Sequence, residues 1–558
     1  MKKYILITFC IISQFYPGYS QESYEHISNS TIYHFLDELA SEQVIIINSA
    51  IKPFTRKEIY NFLGQAIEKQ DELNARQKKE LYYFFDFYRF GNEAGYLPLK
   101  ARINLFKKQD NWKTSMEHAS LLFRDSVFSF SLRPVLGIEY TLNGTENFRK
   151  TYGGLETFAS LGRNLSVYAS LREIYQTGSL LYPDHFISDL GGNYKFFEGT
   201  KEGEYSEMRG GIILGWEWGR IGVIKDHLQW GDNNNGSIIL SGRTPSFPMI
   251  MLHLSPSKWL HFNYFHAWLV SEVIDSVNSY ITTTSRTRNV YRPRYMAANM
   301  FTIKPYKGIH FSFGNSIVYS DMDVNPAYFI PVFFYKSVDH TLNHGIENQN
   351  SQLFFNLSMR MINHLHVYTV FYFDELAFRR FKDPDEHNFY SYKVGGTLSN
   401  WPVSNLFLSS EYTRTSPYVY KHRIPSLKYE SNRFNLGYYL RDNSEELYFS
   451  LSYKPLARFY SYYEFSFARH GNEYEYVDGN IAVTKEFMEE ITWEQMNHSL
   501  GVNYELLTNV HAFAGITFLS TKTYDVDNIT ADYYLNLFTP EFYQGNKSIL
   551  RIGFRAGF

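Results

Sequence analysis

The residues whose types could bind a ligand cluster in one stretch of the chain. Five of its eight tryptophans fall there: Trp216, Trp218, Trp230, Trp259 and Trp268. Carboxylate, amide and guanidinium side chains surround them. Carbohydrate recognition pairs a flat aromatic face, which stacks on sugar C–H groups, with planar polar groups that bind hydroxyls. The stretch therefore predicts a polysaccharide-binding site, for which we select Trp216, Trp218, Trp230, Asp232, Asn234 and Arg243. The alternative is that the tryptophans are girdle residues at a membrane interface.

Two short patterns resemble metal-binding motifs but are incomplete. Residues 321–325 (Asp-Met-Asp-Val-Asn) begin like a calcium loop, but Pro326 replaces the glycine of the EF-hand turn and the closing glutamate is missing. His340 and His344 have helical spacing, yet Gly345 and several Asn residues surround them and there is no third ligand. We expect solvated loops at both places and no bound metal.

Sequence motifs of common enzymes are absent. The chain contains no G-x-x-x-x-G-K, H-E-x-x-H or G-x-S-x-G. Its 57 acidic residues are too widely scattered to single out a catalytic pair. We therefore predict that the chain is not an enzyme and needs no cofactor. The alternative is an outer-membrane lipase or protease, whose site would be assembled from distant strands.

The chain begins like an export signal. Two lysines precede a mostly apolar run over residues 4–15, which is too short to span a bilayer as a helix. Small residues then stand before Gln21, so we predict a cleaved signal peptide over residues 1–20, with an uncleaved anchor as the alternative. The only cysteine, Cys10, lies inside this signal behind a bulky residue, which argues against lipidation. The mature chain is then predicted to have no thiol and no disulfide.

Composition indicates a membrane barrel. Aromatic residues make up 18% of the chain, but the mean hydropathy is only −0.34, and no apolar stretch of about 18 residues follows the signal. A transmembrane barrel reconciles these figures, because one face of each strand contacts lipid and the other faces a polar lumen. The net charge is −3 and no long basic tract occurs, so nucleic acid is not an expected partner.

Period-two alternation of apolar and polar residues predicts the strands. It occurs over residues 165–171, 353–360, 447–454 and 499–506, where the polar faces carry Gly, Ser, Asn and charges, as a wet lumen requires. The last segment alternates apolar residues with Arg and Gly and ends on Phe558, the usual mark of a barrel delivered to the outer-membrane assembly machinery. The basic residues predicted to face the lumen are Arg172, Arg360, Arg551 and Arg555.

The length of the chain sets the number of strands. Residues 96–558 are assigned to the barrel, and at about 25 residues per strand with its connection they give about eighteen antiparallel strands. Turn signals such as Asn143-Gly144 and Asp478-Gly479 recur between the strands. A barrel of this width has a lumen that wall side chains alone cannot fill.

Residues 21–95 are assigned to a periplasmic helical bundle. Apolar residues at i, i+3, i+4 and i+7 predict three amphipathic helices, of which the second opens with a capping box from Thr55 to Glu58 and the third starts near Asn74. Helices this short must bury their apolar stripes against one another or against a larger surface. We expect the bundle to dock at the periplasmic mouth of the barrel, with a free bundle as the alternative.

Several blocks of sequence, in the same order, resemble the Wzi family of capsule-assembly outer-membrane proteins. They are YHFLDELASE (33–42), IKPFTRKEIYNFL (51–63), QWGDNNNGSIILSGRTPSFPMIML (229–252), NPAYFIPVFFYKS (325–337), FYFDEL (371–376), EYTRTSPYVYKH (411–422) and LGYYLRDNSEELYFSLSYKP (436–455). The resemblance covers nearly all of the mature chain. It implies an eighteen-stranded barrel with a periplasmic helical bundle, and a lectin-like role in holding capsular polysaccharide or exopolysaccharide at the cell surface. It supplies no sugar-contacting residues.

The sequence therefore predicts a capsule-assembly barrel in the outer membrane that binds or anchors surface polysaccharide. Its expected partners are that polysaccharide, outer-membrane lipid and, during biogenesis, the barrel-assembly machinery. The main alternative is a diffusion porin or small-solute transporter, which needs an open charged constriction, whereas a glycan anchor needs a closed or plugged lumen. A scaffold for another surface complex is a third interpretation.

Overall fold

The computed structural model describes residues 21–558 except 93–101, 104–111, 116–119, 145, 179, 343–344, 383–386, 475–484, 527 and 558. The predicted export signal, the predicted turn at Asp478-Gly479, His344 and the terminal Phe558 therefore lie outside the described residues.

Eighteen long antiparallel strands form a closed barrel, which confirms the predicted fold class. In chain order, β1 to β18 are Phe128–Leu142, Asn147–Leu161, Leu165–Thr177, Glu202–Trp216, Gly219–Asp226, Phe247–Ser257, Leu260–Ile274, Tyr291–Tyr306, Ile309–Ser320, Gln349–Met359, Leu365–Glu375, Phe389–Ser399, Leu406–Thr415, Ser444–Leu456, Phe459–Gly471, Ile491–Leu507, Val510–Thr523 and Asn546–Ala556. Consecutive strands pair, and the barrel closes where β18 pairs with β1, with Leu550 opposite Leu142 and Ala556 opposite Leu136. A short strand, Ser120–Arg124, pairs with the first residues of β1 beside the end of β18.

The two ends of the barrel differ in the length of their connections. At the short-turn end, strands are joined by turns such as residues 217–218 and 508–509. At the long-loop end, the connections include residues 227–246, 321–348 and 416–443. In outer-membrane barrels the short turns face the periplasm and the long loops face the exterior.

Side chains alternate between the outer wall and the lumen, as the sequence predicts. Along β3, Val167 and Leu171 are exposed on the outer wall, whereas Ser166 and Ser170 are buried on the lumen side. In β18, Ile552 is likewise exposed on the outer wall. The outer wall is thus apolar, and the lumen side carries the polar groups.

Three helices precede the barrel where the sequence predicts them. They are α1, Ser30–Ser41; α2, Arg56–Glu68; and α3, Ala75–Arg89. Thr55 and Glu58 form the predicted capping box of α2, and Asn74 and Gln77 form a second one that begins α3. These side chains bond the first free amides of each helix, so the helix starts are fixed by local sequence.

The three helices pack against the short-turn end of the barrel. Lys454 Nζ on β14 lies 3.2 Å from a carboxylate oxygen of Glu38 on α1. Arg220 Nη1 on β5 lies 3.1 Å from a carboxylate oxygen of Glu58 on α2. The bundle is therefore docked to the barrel, not free.

Two long loops fold into the lumen from the opposite end. Ile238, Ile239 and Tyr438, from residues 227–246 and 416–443, are completely buried. The first loop descends far enough to pair with the segment between α1 and α2, with Trp230 opposite Ile51 and Gln229 opposite Lys52. The lumen is thus occupied from both ends.

A third long loop, residues 321–348, lies on the outer wall and contains a helix, α4, Tyr335–Leu342. His340 is in the last turn of this helix, so the expectation of a loop at His340 is wrong. Tyr335 and Val338 pack against the outer wall, and this burial stabilises a helix that the local sequence does not favour. A fifth helix, α5, Ala531–Phe538, lies in the connection between β17 and β18. Among the described residues, no helix is both long and apolar enough to cross a membrane.

Candidate binding cavity in the barrel lumen

A polar cavity of about 280 Å³ lies in the lumen near the long-loop end. One side is the barrel wall, formed by β1–β3 and β14–β18. The other side is formed by residues 181–189 and 538–543 from two long loops, with Asn235 and Tyr439 from the two loops that fill the lumen. We call this space the upper cavity.

Strand alternation supplies the polar wall of the upper cavity. Residues two apart along a strand share a face, which brings Glu446 and Tyr448 of β14 and Gln495 and Asn497 of β16 to the lumen side. The lining carboxylates are Glu139, Asp189, Glu446 and Glu464. The lining cations are Lys150 and Arg551. Acidic groups therefore outnumber basic ones, and amides from β3, β16 and residues 227–246 add donors and acceptors.

Three of the four carboxylates are held by neighbours. Arg551 donates to Glu139 at 2.8 Å, and Tyr439 donates to Glu446 at 2.7 Å. The Tyr448 hydroxyl donates to Glu464 at 3.2 Å.

The fourth carboxylate and one cation are free to bind a ligand. Neither the Asp189 side chain nor the Lys150 side chain makes a hydrogen bond to any residue that the structure describes. A ligand hydroxyl that reached the cavity would find both a charged acceptor and a charged donor there.

Aromatic rings complete the lining. Phe186 stacks on Phe538 with ring centroids 4.1 Å apart and meets Trp493 edge-on at 5.1 Å. Phe148 packs edge-on against Phe542 at 5.0 Å, at the mouth formed by the last long loop. These rings are almost completely buried and form an apolar wall beside the carboxylates and amides, so a sugar bound there would meet both apolar and polar surface.

A lower cavity of about 150 Å³ lies towards the short-turn end. His34, Asp37 and Glu38 of α1 line it, together with wall residues of β11–β15. Tyr448 and Glu464 line both cavities, so this hydrogen-bonded pair is a partition between them.

Three of the residues selected from sequence are buried in the lumen core. Trp230 is 2% exposed and packs on Phe265, with ring centroids 5.1 Å apart. Asp232 accepts from Ser49 at 2.5 Å, and burial raises the pKa of its carboxyl. The Arg243 guanidinium lies 5.6 Å from the centroid of the Phe434 ring, and burial lowers its pKa to about 9.

The structure does not bring all six selected residues together: Asn234 shares the lower cavity with Asp232, but Trp216 and Trp218 lie apart from them. Asn234 is exposed to the lower cavity and donates to the Tyr368 hydroxyl at 2.8 Å. Trp216 and Trp218 pack edge-on at 5.4 Å beside a turn at the short-turn end. Trp259 is exposed in the next such turn, and Trp268 lies on the outer wall of β7. Exposed tryptophans at this level match the girdle interpretation.

The four predicted lumen arginines lie in different surroundings. Arg551 lines the upper cavity. Arg172 is buried with its guanidinium 5.8 Å from the centroid of the Tyr152 ring. Arg360 follows β10 and donates to Ser49 at 3.0 Å, so it contacts the segment before α2. Arg555 of β18 is partly buried.

The acidic lining of the upper cavity was not predicted from the sequence. A signal was present, because Glu139, Glu446 and Glu464 all stand at lumen positions of alternating strands. Alternation identifies the face of a strand, but the inward folding of the loops determines which part of the lumen stays open.

Within the part of the chain that the structure describes, two clusters have metal-ligating residue types, but protein groups already bind to their carboxylates. Asp226 lies near His26 and His227, yet its carboxylate accepts from Tyr168 at 2.6 Å and from Arg209 at 3.2 Å. The second cluster, Asp442, His470 and Glu473, holds an amine instead. Lys421 Nζ lies 3.1 Å from Asp442 and 2.6 Å from Glu473.

Comparison with known proteins identifies the fold but no sequence relative. No family model and no curated protein sequence matches the chain. Wzi of Escherichia coli, a carbohydrate-binding β-barrel of the outer membrane involved in group 1 capsule assembly, matches with a TM-score of 0.56 and 9% identity over 94% of this chain and 98% of that chain. OccD3 of Pseudomonas aeruginosa (10% identity, 76% of this chain, 90% of that chain) and OccAB2 of Acinetobacter baumannii (8%, 76% and 97%) each match with a TM-score of 0.42. The predicted resemblance to Wzi is thus confirmed at the level of the fold.

Proposed function

We propose that this chain is an outer-membrane barrel that binds a surface polysaccharide through the upper cavity and the long loops around it. The observation that carries the proposal is the cavity itself. It pairs aromatic rings with carboxylates and amides, and it lies at the end that faces the exterior in barrels of this kind. The shared fold with a carbohydrate-binding barrel, Wzi, supports the same interpretation.

The filled lumen argues against a diffusion porin. A porin needs a continuous water-filled path, but residues 227–246 and 416–443 occupy the lumen from one end and the helical bundle closes the other. These contacts favour a barrel that binds a ligand over a barrel through which a solute diffuses. Polymer retention does not need tight single contacts, because a repeating glycan engages many copies and avidity multiplies weak affinities.

The charge of the cavity indicates which glycans should bind. Its carboxylates outnumber its cations, so a neutral or amine-bearing sugar is favoured and an acidic sugar meets like charge. The test is calorimetric binding of neutral, amino and uronic-acid oligosaccharides to the detergent-purified full-length protein. No binding by any class would contradict the proposal.

A matched pair of variants tests the place of binding. Asp189→Asn removes the negative charge of an acceptor in the upper cavity and should weaken binding about tenfold, the effect of losing one charged hydrogen bond. Asp323→Asn makes the same change at an exposed position outside the cavity and should bind like the unchanged protein. Equal affinity of the two variants would place binding elsewhere.

In cells, loss of the protein should leave polysaccharide synthesis intact and release polymer into the medium. The measurement is cell-bound against free polysaccharide in the deletion strain. Normal retention together with lost uptake of a small solute would favour transport.

A further inference from the structure

The loop of residues 321–348 covers the outside of the barrel, where lipid is expected. Tyr328 and Tyr335 are completely buried there against Tyr264, Ile317 and Tyr319 of β7 and β9. These wall residues face outward, because their neighbours in the strands belong to the lumen core. In β8, for example, Met296, Ala298 and Met300 pack inside the barrel, while Ala297 packs under the loop.

The loop reaches the middle of the membrane-facing wall. Its hydrogen bonds reach Asn299 of β8 and Asn315 of β9, which are paired across the two strands. In the next strands, the positions level with Asn315 are Leu353 and Phe373, both on the apolar outer wall. Both asparagines lie well inside their strands, within an apolar band that is about 25 Å tall in such barrels.

Irregular backbone at this depth needs internal hydrogen bonds, since lipid offers none. Asn299 Nδ2 donates to the carbonyls of Pro331 at 2.8 Å and Phe333 at 2.9 Å. Asn315 Oδ1 accepts from the backbone amide of Tyr335 at 2.9 Å. These two buried asparagines, which have no place on a lipid-facing wall by themselves, satisfy three backbone groups of the loop.

The Tyr264 hydroxyl adds a further hydrogen bond to the same loop, closer to its start. It donates to the carbonyl of Tyr328 at 2.9 Å.

The surface that the loop turns away from the barrel is apolar. Ile330, Val332, Phe333 and Phe334 are between 37% and 60% exposed. No charged residue occurs from Val324 to Tyr335. An exposed protein surface that contacts water would normally carry charge over such a length.

We propose that residues 326–335 form a membrane strap, a re-entrant segment that lies in the acyl-chain layer of the outer leaflet. Val332, Phe333 and Phe334 contact lipid chains, and Asn299 and Asn315 hold the backbone against the barrel wall. Lipid is favoured over a second copy of the chain because the strap lies level with lipid-facing residues of the adjoining strands.

Cysteine labelling tests the strap, since Cys10 is the only cysteine of the chain. Val332→Cys and Val277→Cys are made in a Cys10→Ser background, and Val277 is 88% exposed in another long loop. Each protein is placed in phosphatidylcholine nanodiscs and treated with a charged, membrane-impermeant maleimide. We expect Val332→Cys to react at least tenfold more slowly than Val277→Cys, and both to react equally after denaturation. Equal rates in nanodiscs would overturn the proposal, as would an oxidised dimer of Val332→Cys, which would identify a second copy as the occupant.

A second pair of variants tests the asparagine anchors. Asn299→Leu should release the strap, so that Val332→Cys reacts rapidly while the barrel still migrates as a folded band without boiling. Thr369→Leu makes a similar change on the outer wall away from the strap and should leave labelling slow. Slow labelling in Asn299→Leu would show that the asparagine does not hold the strap.

Discussion

Tryptophan occupies three environments in this barrel, and spacing along the chain does not distinguish them. Trp230 is packed in the lumen, Trp259 is exposed in a short turn and Trp268 lies on the outer wall. Alternation assigns a face only within a strand, and Trp230 is in a loop whose inward course depends on contacts with Ile51 and the opposite wall. The cluster in the sequence is therefore not a cluster in space.

This placement gives Trp230 a structural role that can be measured. Trp230→Ala should leave a cavity beside Phe265 and lower the free energy of unfolding by about 3–5 kcal/mol. Trp259→Ala, at an exposed position, should change it by less than about 0.5 kcal/mol. The measurement is urea-induced unfolding in detergent, followed by loss of the fast-migrating band. Equal stability of the two variants would mean that the lumen core does not depend on Trp230.

Elements governed by local signals are those that the sequence predicts well. The capping boxes at Thr55 and Asn74 and the two-residue alternation of the strands fix where helices and strands begin and which face is apolar. Elements that depend on distant contacts were missed. Helix α4 forms because the outer wall buries Tyr335, and the upper cavity remains because loops fill the rest of the lumen.

A buried carboxylate, Glu38, contributes to the docking of α1. Glu38 lies with Arg76, which donates to it, and with Lys454 at 3.2 Å. Although burial opposes ionisation, these cations and their hydrogen bonds lower the pKa of Glu38 to about 2. A depressed pKa stabilises docking above the ordinary pKa of about 4.5, and this contribution is lost as the pH falls towards 2.

Glu38→Gln should therefore weaken docking by about 3–5 kcal/mol at neutral pH, because it leaves the buried Lys454 of the barrel wall without its carboxylate partner. It should also remove the loss of docking between pH 4.5 and 2, whereas Glu72→Gln, at an exposed site, should retain it. The pH dependence from Glu42 has the opposite sign. Burial and the charge of Glu38 raise the pKa of Glu42, so protonation of Glu42 favours the docked state. Hydrogen exchange of residues 30–41 across this pH range measures the effect. An unchanged acid response in Glu38→Gln would assign it to another group.

In the molecule as a whole, three parts close the lumen one after another along the barrel axis. From the long-loop end these are the folded loops, the partition of Tyr448 and Glu464, and the helical bundle below the lower cavity. Wall residues alone cannot fill a barrel of eighteen strands, so a closed state requires such parts. The bundle and residues 227–246 are linked through Ile51 and Trp230, whereas the partition belongs to the wall strands β14 and β15.

Conductance in planar bilayers should therefore rise in steps. The full chain should conduct little, and deletion of residues 30–91 should raise conductance, because it opens the lower cavity and removes Ile51, the partner of Trp230, but leaves the partition in the barrel wall and residues 416–443. Adding Tyr448→Ala should join the two cavities and raise conductance further, whereas adding Tyr152→Ala, on a lumen tyrosine outside both cavities, should not. Fast migration on unboiled gels must confirm that each variant is a folded barrel. A full chain as conductive as the combined variant would show an open lumen and favour the porin interpretation over the glycan anchor.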